Sequence, residues 1–290
     1  MIHCIKKLLA FTNDLEILLY DVSKDDVCMN ISRISMPQTI NYLIFTPSQL
    51  FAMSKKGRIS CWNSLTQKWL VQEILPFSCC DIYQNLLILA FENGAIKSTD
   101  LAKFPHKINE QDILITDVYM APHSDKITAI SVYTRVQYHI KDDNMRHWLE
   151  LAYGTSSGSV YVIGHHPETF GSSLRVFYSL HAHTMPIIKV QLCEKYLFTV
   201  CENHFHVRTW ALSRFRDMLN TQPGPTIVSS FNVADTTSCF GDFLGEGRYK
   251  GPYIPGDDQC FFVEHIQPND TEIKIRSAVT GKLYKLTIIF

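Results

Sequence analysis

No run of lysine or arginine appears in the 290 residues, and the formal net charge is only −1. The chain therefore lacks the charge density that a phosphate backbone requires, and nucleic acid is excluded as an expected partner. No apolar run approaches the roughly 20 residues of a membrane-spanning helix. The first apolar patch, Leu8 to Phe11, is cut off by Thr12-Asn13-Asp14, too soon for the apolar core of a secretory signal. A cytoplasmic location is expected, without membrane insertion, and the Asn-x-Ser/Thr matches at Asn30 and Asn269 are then chance occurrences. The nine cysteines, at positions 4, 28, 61, 79, 80, 193, 201, 239 and 260, contain no Cys-x-x-Cys pair. Most lie in apolar stretches such as Ile59 to Trp62, so they are read as reduced core thiols, neither a disulfide framework nor a zinc site.

What is present is a repeat. Hydrophobic residues make up 46% and charged residues 19%, a globular composition. The recurring unit is an apolar strand, a short polar turn, and a second strand ending in an aromatic or polar pair. Its clearest copies are Leu50 to Ser54 with Arg58 to Asn63, and Leu86 to Phe91 with Ala95 to Asp100. Between the latter two strands, Asn93-Gly94 predicts a type I′ hairpin turn with both residues at positive φ. Further copies are Leu149 to Tyr153 with Ser159 to Ile163, Tyr196 to Cys201 with Phe205 to Trp210, Leu8 to Phe11 with Glu16 to Asp21, and Glu272 to Ser277 followed by Val279-Thr280-Gly281-Lys282.

Most of these hairpins recur at about the 40–45-residue period of a WD-type blade. One four-stranded sheet cannot cover both of its faces, so blades must stack radially to bury them. The expected fold is all-β: residues 1–290 as a single, incomplete WD-repeat β-propeller of about six recognisable blades, with loop insertions near 139–146, 213–225 and 234–258. Ser213 to Asn220 is expected to make two helical turns, ended by Pro223-Gly224-Pro225. The ring is expected to be open on both sides. It starts one or two strands into a blade at Leu8 to Phe11, ends on Leu286 to Phe290, and so self-associates through unpaired edges.

Two stretches go beyond the generic repeat. Leu149 to Ile163 with His166-Pro167-Glu168-Thr169, and His206-Val207-Arg208-Thr209-Trp210 with Arg214-Phe215-Arg216 and Thr221-Gln222-Pro223-Gly224, resemble the potassium-channel-tetramerisation-domain proteins in which a WD-repeat propeller follows a BTB/POZ domain. Gly256-Asp257-Asp258-Gln259 and Thr280-Gly281-Lys282 continue the match. The resemblance implies a scaffold or adaptor whose partners are other proteins: a Src-homology-3 endocytic adaptor, a channel subunit or a cullin ligase. It links such a chain to channel surface expression, receptor trafficking or ubiquitin-ligase recruitment. Neither the N-terminal BTB/POZ domain nor the long C-terminal tail of that family is expected within these 290 residues.

Histidine offers the only candidate metal chemistry, in His165-His166, His181-x-His183 and His204-x-His206. On a strand, positions i and i+2 share a face, so each H-x-H pair could present two ligands to one ion. No third ligand is spaced to complete a site, and no metal or cofactor is assigned. His183 instead precedes Pro186-Ile187 and stands well before Trp210, as the histidine opening a WD repeat stands before its closing tryptophan, so a hydrogen bond within the blade is expected. Asp21, Asn63 and Asp100 follow strands at the repeat period and are read as turn residues. Trp62 and Trp210 are read as core. Gly245 to Gly251 follows no strand and opens no helix, unlike a phosphate-binding loop. Pro252-Tyr253-Ile254-Pro255 is a Pro-x-x-Pro segment of the kind Src-homology-3 grooves read. No catalytic residue is assigned. The expected function is a non-catalytic protein-interaction scaffold, with a purely structural subunit, or a propeller enzyme with a site at the channel mouth, as the alternatives.

Overall fold

The computed structural model describes residues 2–5, 8–13, 16–21, 29–35, 40–46, 49–63, 66, 68–104, 115–137, 146–165, 174–202, 206–215, 218–222, 224–232, 261–264, 272–277 and 283–287. Among them strands dominate, and the only helical element is a single 3₁₀ turn, Leu101–Lys103. The strands form antiparallel meanders in chain order.

The first sheet holds β1 (Ile2–Ile5), β2 (Leu8–Asn13), β3 (Glu16–Asp21) and β4 (Met29–Ser35). The second holds β5 (Tyr42–Phe45), β6 (Leu50–Ser54), β7 (Arg58–Asn63) and β8 (Lys68–Glu73), and the third β9 (Cys79–Tyr83), β10 (Leu86–Ala90), β11 (Ala95–Asp100) and β12 (Thr116–Met120). The fourth consists of β13 (Ile127–Gln137), β14 (Arg146–Thr155), β15 (Ser159–Gly164) and β16 (Arg175–His181). In the fifth, β17 (Ile187–Leu192), β18 (Tyr196–Cys201) and β19 (His206–Ala211) are followed by a small hairpin, β20 (Arg214–Phe215) with β21 (Met218–Leu219), before β22 (Thr226–Asn232) closes the sheet. A three-stranded sheet of β23 (Phe261–Glu264), β24 (Glu272–Ser277) and β25 (Leu283–Thr287) follows.

Chain contacts gather into two compact units, residues 1–91 with 96–117, and residues 92–95 with 118–290. In the first, Ile17, Leu43, Leu50 and Ala52 form a buried cluster against which Trp62 and Trp69 pack, ring edge to face at 5.3 Å. In the second, the fourth and fifth sheets share a core that includes Ala152, Val160, Ile187, Val190, Leu197 and Trp210. Gly154 permits the close approach there, since a Cβ on it would stand 2.5 Å from a methyl of Ile187. The backbone N–H of Leu192 donates across the sheets to Ser131 Oγ at 3.0 Å.

The burial pattern explains the sequence pattern. Every residue of β6 and β18 is buried, whereas the outermost β8 and β16 alternate with exposed positions. A strand covered on both faces reads as a continuous apolar run and an outer one as an alternation. The inner hairpins are therefore the ones visible as repeats, and five of the six repeat copies are the pairs β2–β3, β6–β7, β10–β11, β14–β15 and β18–β19.

Three expectations are corrected. The first sheet does not begin at Leu8: β1 pairs with β2, Ile2 opposite Phe11 and Ile5 opposite Leu8, and completes four strands. Four residues including a histidine are too few to show a period. Ser213 to Asn220 is not helical but the β20–β21 hairpin, closed by Asn220 N–H donating to Ser213 O at 2.9 Å. So short a segment has no stable helix of its own, and the tertiary anchors of Arg214 and Leu219 decide its shape. The Asn93-Gly94 turn is not type I′, because only Gly94 has positive φ, at 82°. Asn93 instead accepts the Ala95 N–H on its side-chain oxygen at 3.1 Å, and a three-residue loop ending in a left-handed glycine replaces the two-residue one. The segments near 139–146 and 234–258 lie largely or wholly outside the described residues.

Candidate functional site

Polar groups concentrate on one face of the fifth sheet. In the β18–β19 ladder Thr199 stands opposite Arg208 and Val200 opposite Val207. Alternation then puts Thr199 and Cys201 of β18, and His206, Arg208 and Trp210 of β19, on a common face. His183 reaches this face from the connection after β16. Its backbone is held by Gly158, whose carbonyl accepts the N–H groups of Ala182 and His183 at 3.0 and 2.9 Å.

His183 is only 3% exposed, and its Nε2 lies 2.8 Å from Thr199 Oγ1. The same hydroxyl accepts the indole N–H of Trp210 at 3.3 Å and donates to Arg208 O at 3.4 Å. A hydroxyl has one proton to give and two lone pairs. With its proton on Arg208 O and one lone pair taken by Trp210, it accepts from His183, which fixes the Nε2–H tautomer. The expected hydrogen bond of His183 within its blade is thus present, and the two ends of the anticipated His to Trp spacing meet through Thr199.

That arrangement leaves the Nδ1 lone pair of His183 buried and without a partner. Ligand atoms of His183, Cys201 and His206 all lie within 4.8 Å of one another, and the two imidazoles meet edge to face at 5.3 Å. His206 Nε2 is 2.6 Å from Ser230 Oγ on β22. The guanidinium of Arg208 donates to Ala182 O, while its Nε is buried without a partner. Burial, with the nearby His206 and Arg208 adding to it, pushes the His183 pKa down to about 3. Burial, and then Arg208, also lower that of His206. Both rings are neutral at physiological pH.

The structure thus unites one histidine from each of two H-x-H pairs. His181 stays exposed at the end of β16, because the chain leaves the strand after it and the i, i+2 relation fails. His204 and His166 lie outside the described residues, and His165 accepts the Leu149 N–H at 3.3 Å. Cys201 was missed as a ligand because its partner position lies across the hairpin rather than along one strand.

A second polar feature holds the β20–β21 hairpin. Arg214 makes a bidentate pair with Glu150 of β14, Nη1 to Oε1 at 2.8 Å and Nη2 to Oε2 at 2.6 Å. The two side chains are 10% and 1% exposed. Arg214 also donates to Glu194 O and lies over the Tyr133 ring at 5.4 Å.

The other sequence candidates are structural where described. Asn63 accepts the Thr66 N–H at 3.1 Å, and Asp100 caps the 3₁₀ turn by accepting the Ala102 N–H at 3.0 Å. The side chain of Asp21, Gly245 to Gly251 and Pro252 to Pro255 lie outside the described residues. Cys61, Cys79, Cys80, Cys193 and Cys201 stand outside any disulfide. Burial pushes the Cys61 thiol up to about 11, as a core thiol requires. Among the described residues no helix is long and apolar enough to cross a membrane.

Comparison with known proteins agrees with the architecture. The chain is 37% identical over 278 residues to the human BTB/POZ domain-containing protein KCTD3, covering 95% of this chain and 34% of that one. It is 38% identical over 279 residues to SH3KBP1-binding protein 1 of Rattus norvegicus, covering 95% and 39%. It therefore spans little more than a third of the length of these curated relatives. Among solved structures, the Myceliophteria thermophila Cps50 (Swd1) beta-propeller domain superposes with a TM-score of 0.57 at 12% identity, covering 97% of this chain and 80% of that one, a likeness of fold alone. Residues 2–288 match the family described as the SHKBP1/KCTD3 C-terminal beta-propeller, and the chain belongs to that family.

Proposed function

We propose that the chain is a non-catalytic, cytoplasmic platform for binding other proteins. The observation that carries this reading is the family match across nearly the whole chain, to relatives one of which is named for a protein it binds, SH3KBP1. A Src-homology-3 adaptor, a channel subunit and a cullin ligase are the partner classes this family membership suggests.

The outer strands of each unit supply suitable apolar positions. Each of β8, β12, β16 and β22 exposes a large apolar side chain: Val71, Met120, Val176 and Ile227, with Val228 beside the last. Met120 is 60% and Ile227 54% exposed. Apolar groups on an outermost strand, next to unpaired backbone N–H and C=O, suit docking of another chain.

The test is affinity capture from cell extract with the purified chain as bait, beside a variant carrying Val71→Ser, Met120→Ser, Val176→Ser and Ile227→Ser. The wild type is expected to retain partners that the variant loses, at unchanged melting temperature. Equal retention by both would remove the outer strands from the binding surface. No retained partner would defeat the platform reading.

A further inference from the structure

We propose that His183, Cys201 and His206 form a zinc-binding site at the β18–β19 end of the fifth sheet.

The ligand set is the first support. Two imidazoles and one thiolate make a mixed nitrogen and sulfur site of the kind zinc occupies, leaving a fourth tetrahedral position for water. The ligand atoms lie within 4.8 Å of one another, about 1 Å wider than the ~3.3–3.8 Å edges of a tetrahedral zinc centre with bonds of ~2.0–2.3 Å. Binding therefore requires the three side chains to draw together by about 1 Å.

The surroundings of the rings are the second support. Histidines that bind metal direct their other ring nitrogen to a hydrogen-bond partner, which fixes the tautomer and the ring plane. Both rings do so here, His183 Nε2 to Thr199 Oγ1 and His206 Nε2 to Ser230 Oγ. Each is left with Nδ1 for a ligand. At His183 that nitrogen is fully buried and unpaired, a desolvated acceptor with nothing in the protein to offset its lost water. A metal ion supplies the missing partner.

The charge balance narrows the ion. Arg208 places a guanidinium near both imidazoles, which disfavours a second cation unless the site supplies its own anion. Among the described residues of the cluster the Cys201 thiolate does, so an ion that bonds sulfur is selected over calcium or magnesium, which take oxygen ligands. Binding forms the metal–sulfur bond and releases the thiol proton to solvent, with no change of oxidation state.

The purified 290-residue chain is stripped with a chelator, then titrated with zinc chloride and, separately, with cobalt(II) chloride as an absorbing probe. The expected result is one equivalent bound, a thiolate-to-cobalt charge-transfer band, and a higher melting temperature with zinc. Cys201→Ser should abolish the band and weaken zinc binding roughly tenfold or more. His206→Asn, at a part-exposed position, should weaken it similarly without unfolding the chain. Absence of a charge-transfer band in the wild type overturns the proposal. So does a band that persists in Cys201→Ser, or zinc affinity unchanged in a folded His206→Asn chain.

Discussion

Arg214 and Glu150 form a two-pronged ion pair at 2.8 and 2.6 Å across 64 residues of sequence, with both side chains almost wholly out of solvent. A pair of this kind costs far more to break than it is worth, because the surviving partner is left as a buried, uncompensated charge. Glu150→Gln and Arg214→Gln are each expected to lower unfolding stability by about 3–5 kcal/mol. The double replacement Glu150→Leu with Arg214→Met should lose less than either single change. Urea unfolding of the three variants checks it, and a double variant as unstable as the sum of the singles would contradict it.

Thr199 satisfies two buried donors with one hydroxyl. Thr199→Val keeps the shape and strands both His183 and Trp210, so a loss of about 1–3 kcal/mol is expected. Thr199→Ser should retain most of the stability. The comparison reads the hydrogen bonds apart from the packing.

Gly158 has φ of 85°, and a Cβ there would stand 2.0 Å from the carbonyl oxygen of His183. Gly158→Ala pays both for the backbone region and for the displacement of the His183 connection. A loss exceeding about 1 kcal/mol is expected, with weakened Trp210 burial visible as a red-shifted fluorescence spectrum. An Ala variant as stable as the wild type would mean that this connection is free to move.

The folded pKa of His183 lies near 3, against an ordinary value of 6.5. The unfolded chain therefore binds the proton first as pH falls. The stability from keeping this ring neutral is complete above pH 6.5 and lost progressively toward pH 3. With chelator present, unfolding free energy should fall between pH 6.5 and 5 with a slope approaching about 1.4 kcal/mol per pH unit for each such ring. His206 adds in the same direction. His183→Gln should flatten the slope in that window, above the carboxylate range. An unchanged slope would show that the ring is charged in the folded state.

What the sequence made legible follows from where each signal resides. Inner hairpins are continuous apolar runs broken by a glycine turn, so Leu50 to Asn63 and Tyr196 to Trp210 could be placed by reading along the chain. The meeting of His183 with the Trp210 network was legible too, since a repeat fixes spacing. Contacts between strands were not. Cys201 faces His206 only through the hairpin register, and Glu150 meets Arg214 only because neighbouring sheets stack, which no local pattern encodes. The error at Asn93 is local: Asn-Gly tolerates a type I′ turn, but the loop takes in Glu92 as well, Asn93 bonds the Ala95 N–H, and only Gly94 has positive φ.

A platform that serves several proteins and a subunit of one assembly differ most sharply in partner stoichiometry. Complexes captured on the purified chain can be eluted without denaturant and weighed by native mass spectrometry. A platform should yield several distinct partners, each bound to only part of the bait and each competing for the apolar outer strands. A single complex of fixed stoichiometry, the same from every extract, would contradict it and make the chain a structural subunit of one assembly.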